Sequence, residues 1–167
     1  MTIEEELRDL LTARGWTLAT AESSTGGLVA HRITNVSGSS AYFLGGVVAY
    51  ADQAKEALLG VAHGTLLAYG AVSDQVAREM ARGVRQRFGA LLGLSTTGIA
   101  GPTGATPGKP VGLAYVALSV LDTTTSMPAV EAVRRYLWQG NRLENKESTA
   151  EAVLRLLLDH LKDPKSL

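Results

Sequence analysis

Stretches with helical spacing alternate with short apolar runs along the whole chain, and this alternation constrains the fold more than any other feature. Thr2 with Glu5 forms a capping-box pattern; Ile3, Leu7, Leu10 and Leu11 follow at helical spacing, and Gly15 ends that helix. Trp16 to Ala21 predicts a short strand, and Leu28 to Ile33 a helix beyond the polar turn that starts at Glu22. Tyr42 to Tyr50, apolar and aromatic, predicts a buried strand. Asp52 is placed to cap a helix running to about Leu59, and Thr65 to Tyr69 adds a further helical turn. Ser73 caps a clearer helix with Val76, Met80 and Val84 on one face. Strands are predicted at Leu91 to Thr97, Val111 to Leu121 and Ala129 to Trp138, with a polar turn from Asp122 to Pro128. An amphipathic helix from Glu144 to Leu161 closes the pattern. Helices lead, strands lie between them, and the last strands form a meander. The predicted fold class is therefore α/β, a three-layer α/β/α sandwich with a mixed sheet.

Length and charge bound the rest. A chain of 167 residues predicts one domain, residues 1–167, with enough buried surface to need no covalent staple. With no cysteine there is no disulfide, thiol nucleophile or thiolate metal site. A formal charge of +0, from 16 basic and 16 acidic residues, offers no field for nucleic acid or anionic lipid. The longest apolar stretch, Val111 to Leu121, falls short of the roughly 18 residues that argue a membrane span. The N-terminus is acidic where a secretory signal is basic and then apolar. These bounds predict a soluble, cytoplasmic chain with no membrane and no nucleic-acid partner.

Much familiar chemistry is excluded. Gly108-Lys109 is followed by Pro110 where a phosphate-binding P-loop needs Ser or Thr. There is no GxSxG elbow and no dinucleotide glycine fingerprint after the first strand. The histidines His31, His63 and His160 have no ligand spacing, so no metal site is predicted; His63 is a weak candidate for a Ser-His-Asp triad.

Glycine stands out at 18 of 167 residues, about 11% against a usual 7%. Two turns concentrate it. Ser23-Ser24-Thr25-Gly26-Gly27 follows the first strand and opens a helix, so its amides are an anion site, an oxyanion hole beside a serine nucleophile, or simple N-capping. Gly98 to Pro110 holds four Gly and three Pro in thirteen residues, a stiff loop that is either solvent loop or binding element. Between them Tyr50, at a strand end, and Lys55, a helical turn further on, bring two proton carriers together. A desolvated Lys there acts as a base, whereas an exposed one is only a surface charge.

Thr20-Ala21-Glu22-Ser23-Ser24-Thr25-Gly26-Gly27 resembles the AES-x-TGG signature of the CinA C-terminal domain family. The resemblance continues in order through Gly38-Ser39-Ser40, Gly46 with Tyr50-x-x-x-x-Lys55, and Gly70-Ala71-Val72-Ser73. It runs on through Gly98-Ile99-Ala100-Gly101-Pro102, Lys109-Pro110-Val111-Gly112 and Gly140-x-Arg142, spanning most of the chain. The chain looks like the stand-alone form of that domain. Three positions depart from the family pattern: Ser24 where many members have Cys, Gly104-Ala105-Thr106 where a Gly pair is usual, and Asn141 for the usual Asp.

The resemblance implies hydrolysis of the carboxamide of nicotinamide mononucleotide (NMN) to nicotinate mononucleotide and ammonia. It implies a catalytic set of Ser23, Tyr50 and Lys55, with no metal and no cofactor. Ser23 is the nucleophile, and Lys55 or Tyr50 takes its proton. Thr25, Gly26 and Gly27 are the expected oxyanion site, and Ser24 and Ser39 are expected on the substrate. Gly98, Ile99, Ala100, Gly101 and Arg142 are expected on its phosphate or ribose, although Arg142 serves equally to pin the final helix. The expected partners are a small-molecule substrate and further copies of the chain, as a dimer. The alternatives are an amidase for another small carboxamide, or a non-catalytic binding or accessory domain linked to competence or DNA damage.

Overall fold

The computed structural model describes residues 1–125 and 128–165. Its elements run α1 (Ile3–Arg14), β1 (Leu18–Glu22), α2 (Leu28–Thr34), a short 3-10 turn (Ser39–Ala41), β2 (Phe43–Val48) and α3 (Asp52–Leu59). They continue α4 (His63–Tyr69), α5 (Asp74–Phe88), β3 (Leu92–Gly98), β4 (Leu113–Leu121), β5 (Pro128–Leu137) and α6 (Arg142–Lys162). The strands form one sheet in the order β2-β1-β3-β4-β5. β1 pairs in parallel with both β2 and β3, and β3-β4-β5 is an antiparallel meander. The sheet is mixed and flanked by helices on both faces, as the alternation of elements predicts.

Strand pleating sorts the core. Leu18 of β1 packs in a cluster with Leu7 and Leu11 of α1, Val29 and Ile33 of α2, and Val153, Leu154 and Leu157 of α6. Ala19 and Ala21 point the other way, against Leu59, Leu66, Val76, Met80 and Val84 of α3, α4 and α5. Successive residues on a strand face opposite layers, so one five-residue strand serves both cores. Each fully buried Leu contributes about 1.5–3 kcal/mol from apolar burial.

Several expectations shift. The predicted buried strand from Tyr42 to Tyr50 is instead the edge strand Phe43–Val48, paired among the described residues with β1 alone, with alternate residues open: Leu44 is 44% and Val48 51% exposed. Tyr50 thus lies two residues beyond the strand. Asp52 is not a cap; it is the first residue of α3, whose N-cap is Ala51 with no side-chain bond. Ser73 does cap α5, its hydroxyl accepting from the Val76 amide. β4 begins at Leu113 because Gly112, at φ +90, turns the chain first. α6 starts earlier than predicted because Asn141 accepts from the Leu143 and Glu144 amides while Glu144 answers the Asn141 amide. Of the predicted polar turn, residues 126 and 127 lie outside the described residues.

The topology marks one place on the sheet. From β1 the chain passes through α2, on one face, to β2; it enters β3 from α5, on the other face. Between the C-terminal ends of β1 and β3 the flanking helices therefore diverge, leaving the crevice where ligands bind in open α/β sheets.

Candidate active site

Five segments converge on that crevice: the turn after β1, the turn after β2 with the start of α3, Ala71 and Val72 ahead of α5, the end of β3 with its following loop, and the first residue of α6. Ser23, Ser24, Tyr50, Asp52 and Lys55 line one cavity of about 340 Å³ together with Thr97, Gly98, Ile99, Ala100, Gly101 and Arg142. Its size suits a small-molecule ligand. Ser23 is tied into the sheet by its amide, which donates to the Thr96 carbonyl at 3.0 Å. Both Ser23 and Ser24 are largely buried, 8% exposed, on the cavity wall.

Lys55 is buried to 1% exposure, an unusual place for an ammonium. Its Nζ donates to the Tyr50 carbonyl at 3.0 Å and lies 3.5 Å from Asp52 Oδ1. Burial pushes its pKa below the ordinary lysine value, opposed by the Asp52 carboxylate. The surface-charge reading of Lys55 is thereby set aside.

Tyr50 does not pair with Lys55 through its phenol. The side chain is 61% exposed, and the phenol oxygen lies 3.0 Å from the Arg142 guanidinium. The hydrogen bond between the two residues runs from Lys55 Nζ to the main-chain carbonyl of Tyr50, and the phenol acts on the lysine through its charge alone. Arg142 also donates to the Gly101 carbonyl at 2.8 Å, so it both lines the cavity and fastens α6 to the loop after β3. Asn145 of α6 adds a bond to the Ala100 carbonyl at 3.0 Å. The loop is tied at its far side as well, where Lys109 Nζ donates to the Tyr69 carbonyl. The departure at Asn141 concerns helix capping, since its side chain faces the α6 amides.

The turn Thr25-Gly26-Gly27 corrects an expectation. None of its three residues lines the cavity, and the Gly26 and Gly27 amides are already taken, by the Ser23 carbonyl and the Glu22 carboxylate. The Glu22 carboxylate, 2% exposed, already holds the N-terminus of α2. It accepts from the Thr25 hydroxyl (2.6 Å) and from the amides of Gly27 (3.0 Å), Val29 (3.0 Å) and Ala30 (2.9 Å). An internal anion fills the place an oxyanion or phosphate would need. Thr25, Gly26 and Gly27 instead border a separate groove with Leu28, His31, Leu143 and Lys146. Ser39 is also remote. It lies in the 3-10 turn before β2, at the sheet end opposite Ser23, about one strand length away. His63 is no triad partner: it is exposed at the start of α4, with Nδ1 2.9 Å from Glu56.

Two carboxylates have roles at the site that no sequence pattern assigns them: Glu22 on the α2 amides and Asp52 beside Lys55. Both stand beside the predicted catalytic residues, and the one hint of Glu22 is a carboxylate at a strand end preceding a helix start.

A model of the CinA C-terminal domain matches residues 1–161. The chain belongs to the CinA C-terminal domain family. A CinA-like protein of Chlorobium phaeovibrioides is 49% identical over 161 residues, covering 96% of this chain and 37% of the relative. A CinA-like protein of Salinibacter ruber is 49% identical over 154 residues, covering 92% and 36%. The chain thus spans little more than a third of these curated relatives. Solved CinA-family structures match nearly end to end. The competence/damage inducible protein CihA of Agrobacterium tumefaciens superposes with a TM-score of 0.89 at 34% identity, covering 96% of this chain and 94% of that one. The competence damage-inducible protein A (ComA) of Klebsiella pneumoniae does so at 0.89 and 30%, covering 96% of each.

Proposed function

We propose that this CinA-family chain is an amidohydrolase that converts nicotinamide mononucleotide to nicotinate mononucleotide and ammonia. One observation carries the reading: a serine hydroxyl and a buried lysine, its pKa lowered, line the same small cavity at the C-terminal ends of parallel strands. An amide is a poor electrophile with a poor leaving group. Its hydrolysis needs an activated nucleophile, a stabilised oxyanion and a proton for the departing nitrogen.

In this reading the neutral Lys55 amine takes the Ser23 proton as Oγ bonds to the carboxamide carbon. The tetrahedral oxyanion collapses, and Lys55 returns the proton to the leaving nitrogen, which departs as ammonia. Water then gives a proton to Lys55 and adds as hydroxide to the ester; Ser23 leaves and regains its proton, freeing the carboxylic acid. For the oxyanion we assign the Ser24 amide, which has no intramolecular hydrogen-bond partner among the described residues. The guanidinium of Arg142 is our assignment for the phosphate, and Tyr50, bonded to it, orients that group. We take Lys55 over Tyr50 as the base, because the phenol faces Arg142 and solvent.

The test is ammonia release from NMN, nicotinamide and NAD, each incubated separately with the purified chain. Turnover of NMN alone is expected. Turnover of none overturns the proposal in favour of a non-catalytic binding domain, and turnover of free nicotinamide points to an amidase for another small carboxamide.

A further inference from the structure

Glu22 is a buried carboxylate that the mechanism above does not use, although it directly precedes Ser23. Its two oxygens accept four hydrogen bonds at 2.6–3.0 Å, all from the segment that follows the nucleophile. One donor, the Thr25 hydroxyl, lies 2.7 Å from the Thr96 hydroxyl on β3, whose own carbonyl holds the Ser23 amide. Glu22 is thus bound on both sides of Ser23. Its backbone belongs to β1, while its side chain anchors the chain re-entering at α2. The turn between is short and closed by the Gly26 amide on the Ser23 carbonyl at 3.0 Å. Gly27, at φ +102, admits the sharp entry into α2.

We infer that Glu22 is a positioning residue, whose carboxylate locks the Ser23–Ser24 turn in the geometry that presents Ser23 to the cavity. The inference rests on the reaction proposed above. The role needs a carboxylate. Three donors converge on Oε2 and one on Oε1, and a carboxylate accepts at both oxygens where a carboxamide accepts at one. A glutamine places its amide nitrogen against at least one N–H donor, and the turn must move to separate them. A displacement of about 1 Å in a reacting group costs about 10²-fold in rate.

The experiment compares the wild-type chain with Glu22→Gln, Glu22→Asp and Thr25→Val, measuring ammonia release from NMN and the thermal midpoint of each. Glu22→Gln is expected to fold and to lose about 10²-fold in kcat, with KM within about threefold of wild type. Glu22→Asp keeps the charge with a shorter reach and is expected to recover part of the loss. Thr25→Val removes one of the four bonds and is expected to lower kcat about tenfold. A purely structural role predicts a lower midpoint with kcat per folded molecule kept, and that result overturns the inference. Should Glu22→Gln fail to fold, Thr25→Val decides: a fall in kcat at unchanged KM supports the role, and an unchanged kcat overturns it. A wild-type chain that releases no ammonia overturns the proposed reaction and this inference together. An active wild type with an undiminished Glu22→Gln overturns the inference alone.

Discussion

Gly101→Ala is expected to damage the loop that forms one wall of the cavity, by an amount the structure lets us work out. Gly101 has φ +82, a region that costs an L-residue about 1–2 kcal/mol. A methyl there would sit 2.4 Å from Cγ1 of Val111, an ångström inside ordinary contact distance. Overpacking of that kind costs about 1–3 kcal/mol. The sum is a loss of about 2–5 kcal/mol for the loop, whose Gly101 carbonyl also holds Arg142. Urea unfolding of Gly101→Ala, Val111→Ala and the double variant separates the two contributions. Val111→Ala alone, at a half-buried site, is expected to cost about 1 kcal/mol. In the double variant the steric contribution vanishes and the backbone contribution stays, giving a favourable coupling of about 1–3 kcal/mol. A loss below about 1 kcal/mol in Gly101→Ala, or strict additivity in the cycle, refutes the reasoning.

The other predictions concern single groups. Ser23→Ala is expected to abolish NMN turnover while the thermal midpoint holds, because its hydroxyl has no hydrogen-bond partner among the described residues; activity lost in Ser24→Ala and kept in Ser23→Ala identifies the other serine as nucleophile. Asp52→Asn removes the carboxylate that raises the Lys55 pKa against burial, so the acid limb of the kcat–pH profile is expected to move to lower pH; an unmoved limb dissociates that limb from Lys55. His160 is buried with Nδ1 unpartnered, and its pKa is lowered by burial and by Arg14. The unfolded chain therefore takes up this proton first, so the stability held above about pH 6.5 is lost as pH falls through the folded pKa. Urea midpoints between pH 7 and 5 are expected to fall more steeply in wild type than in His160→Leu.

The fold was legible where pattern and capping agreed. The spacing of Ile3, Leu7 and Leu11, the Ser73 cap and the alternation of elements carry local physics that packing leaves unchanged. The β2 segment misled because an apolar run does not reveal whether a strand lies at an edge; that depends on sheet order, a long-range property. Much of the site was legible for a different reason. Ser23, Tyr50, Lys55, Arg142 and the loop from Gly98 stand far apart in sequence, and the motif order that groups them matches their place around one cavity. Motif order did not say which way each group points. The Tyr50 phenol turns to Arg142, Ser39 lies at the far end of the sheet, and the α2 amides are taken by Glu22. A glycine-rich turn opening a helix reads as an anion site from sequence, and here the chain supplies its own anion.

Steady-state kinetics of Lys55→Met with NMN tests the central claim most directly. Methionine fills a similar volume as an unbranched apolar chain and removes the amine with its contacts to the Tyr50 carbonyl and Asp52. If Lys55 is the base, kcat falls by about 10²–10⁴-fold and KM stays near wild type. A raised KM with kcat kept at saturating NMN would contradict the account, leaving Lys55 as a binding group and Ser23 without a base.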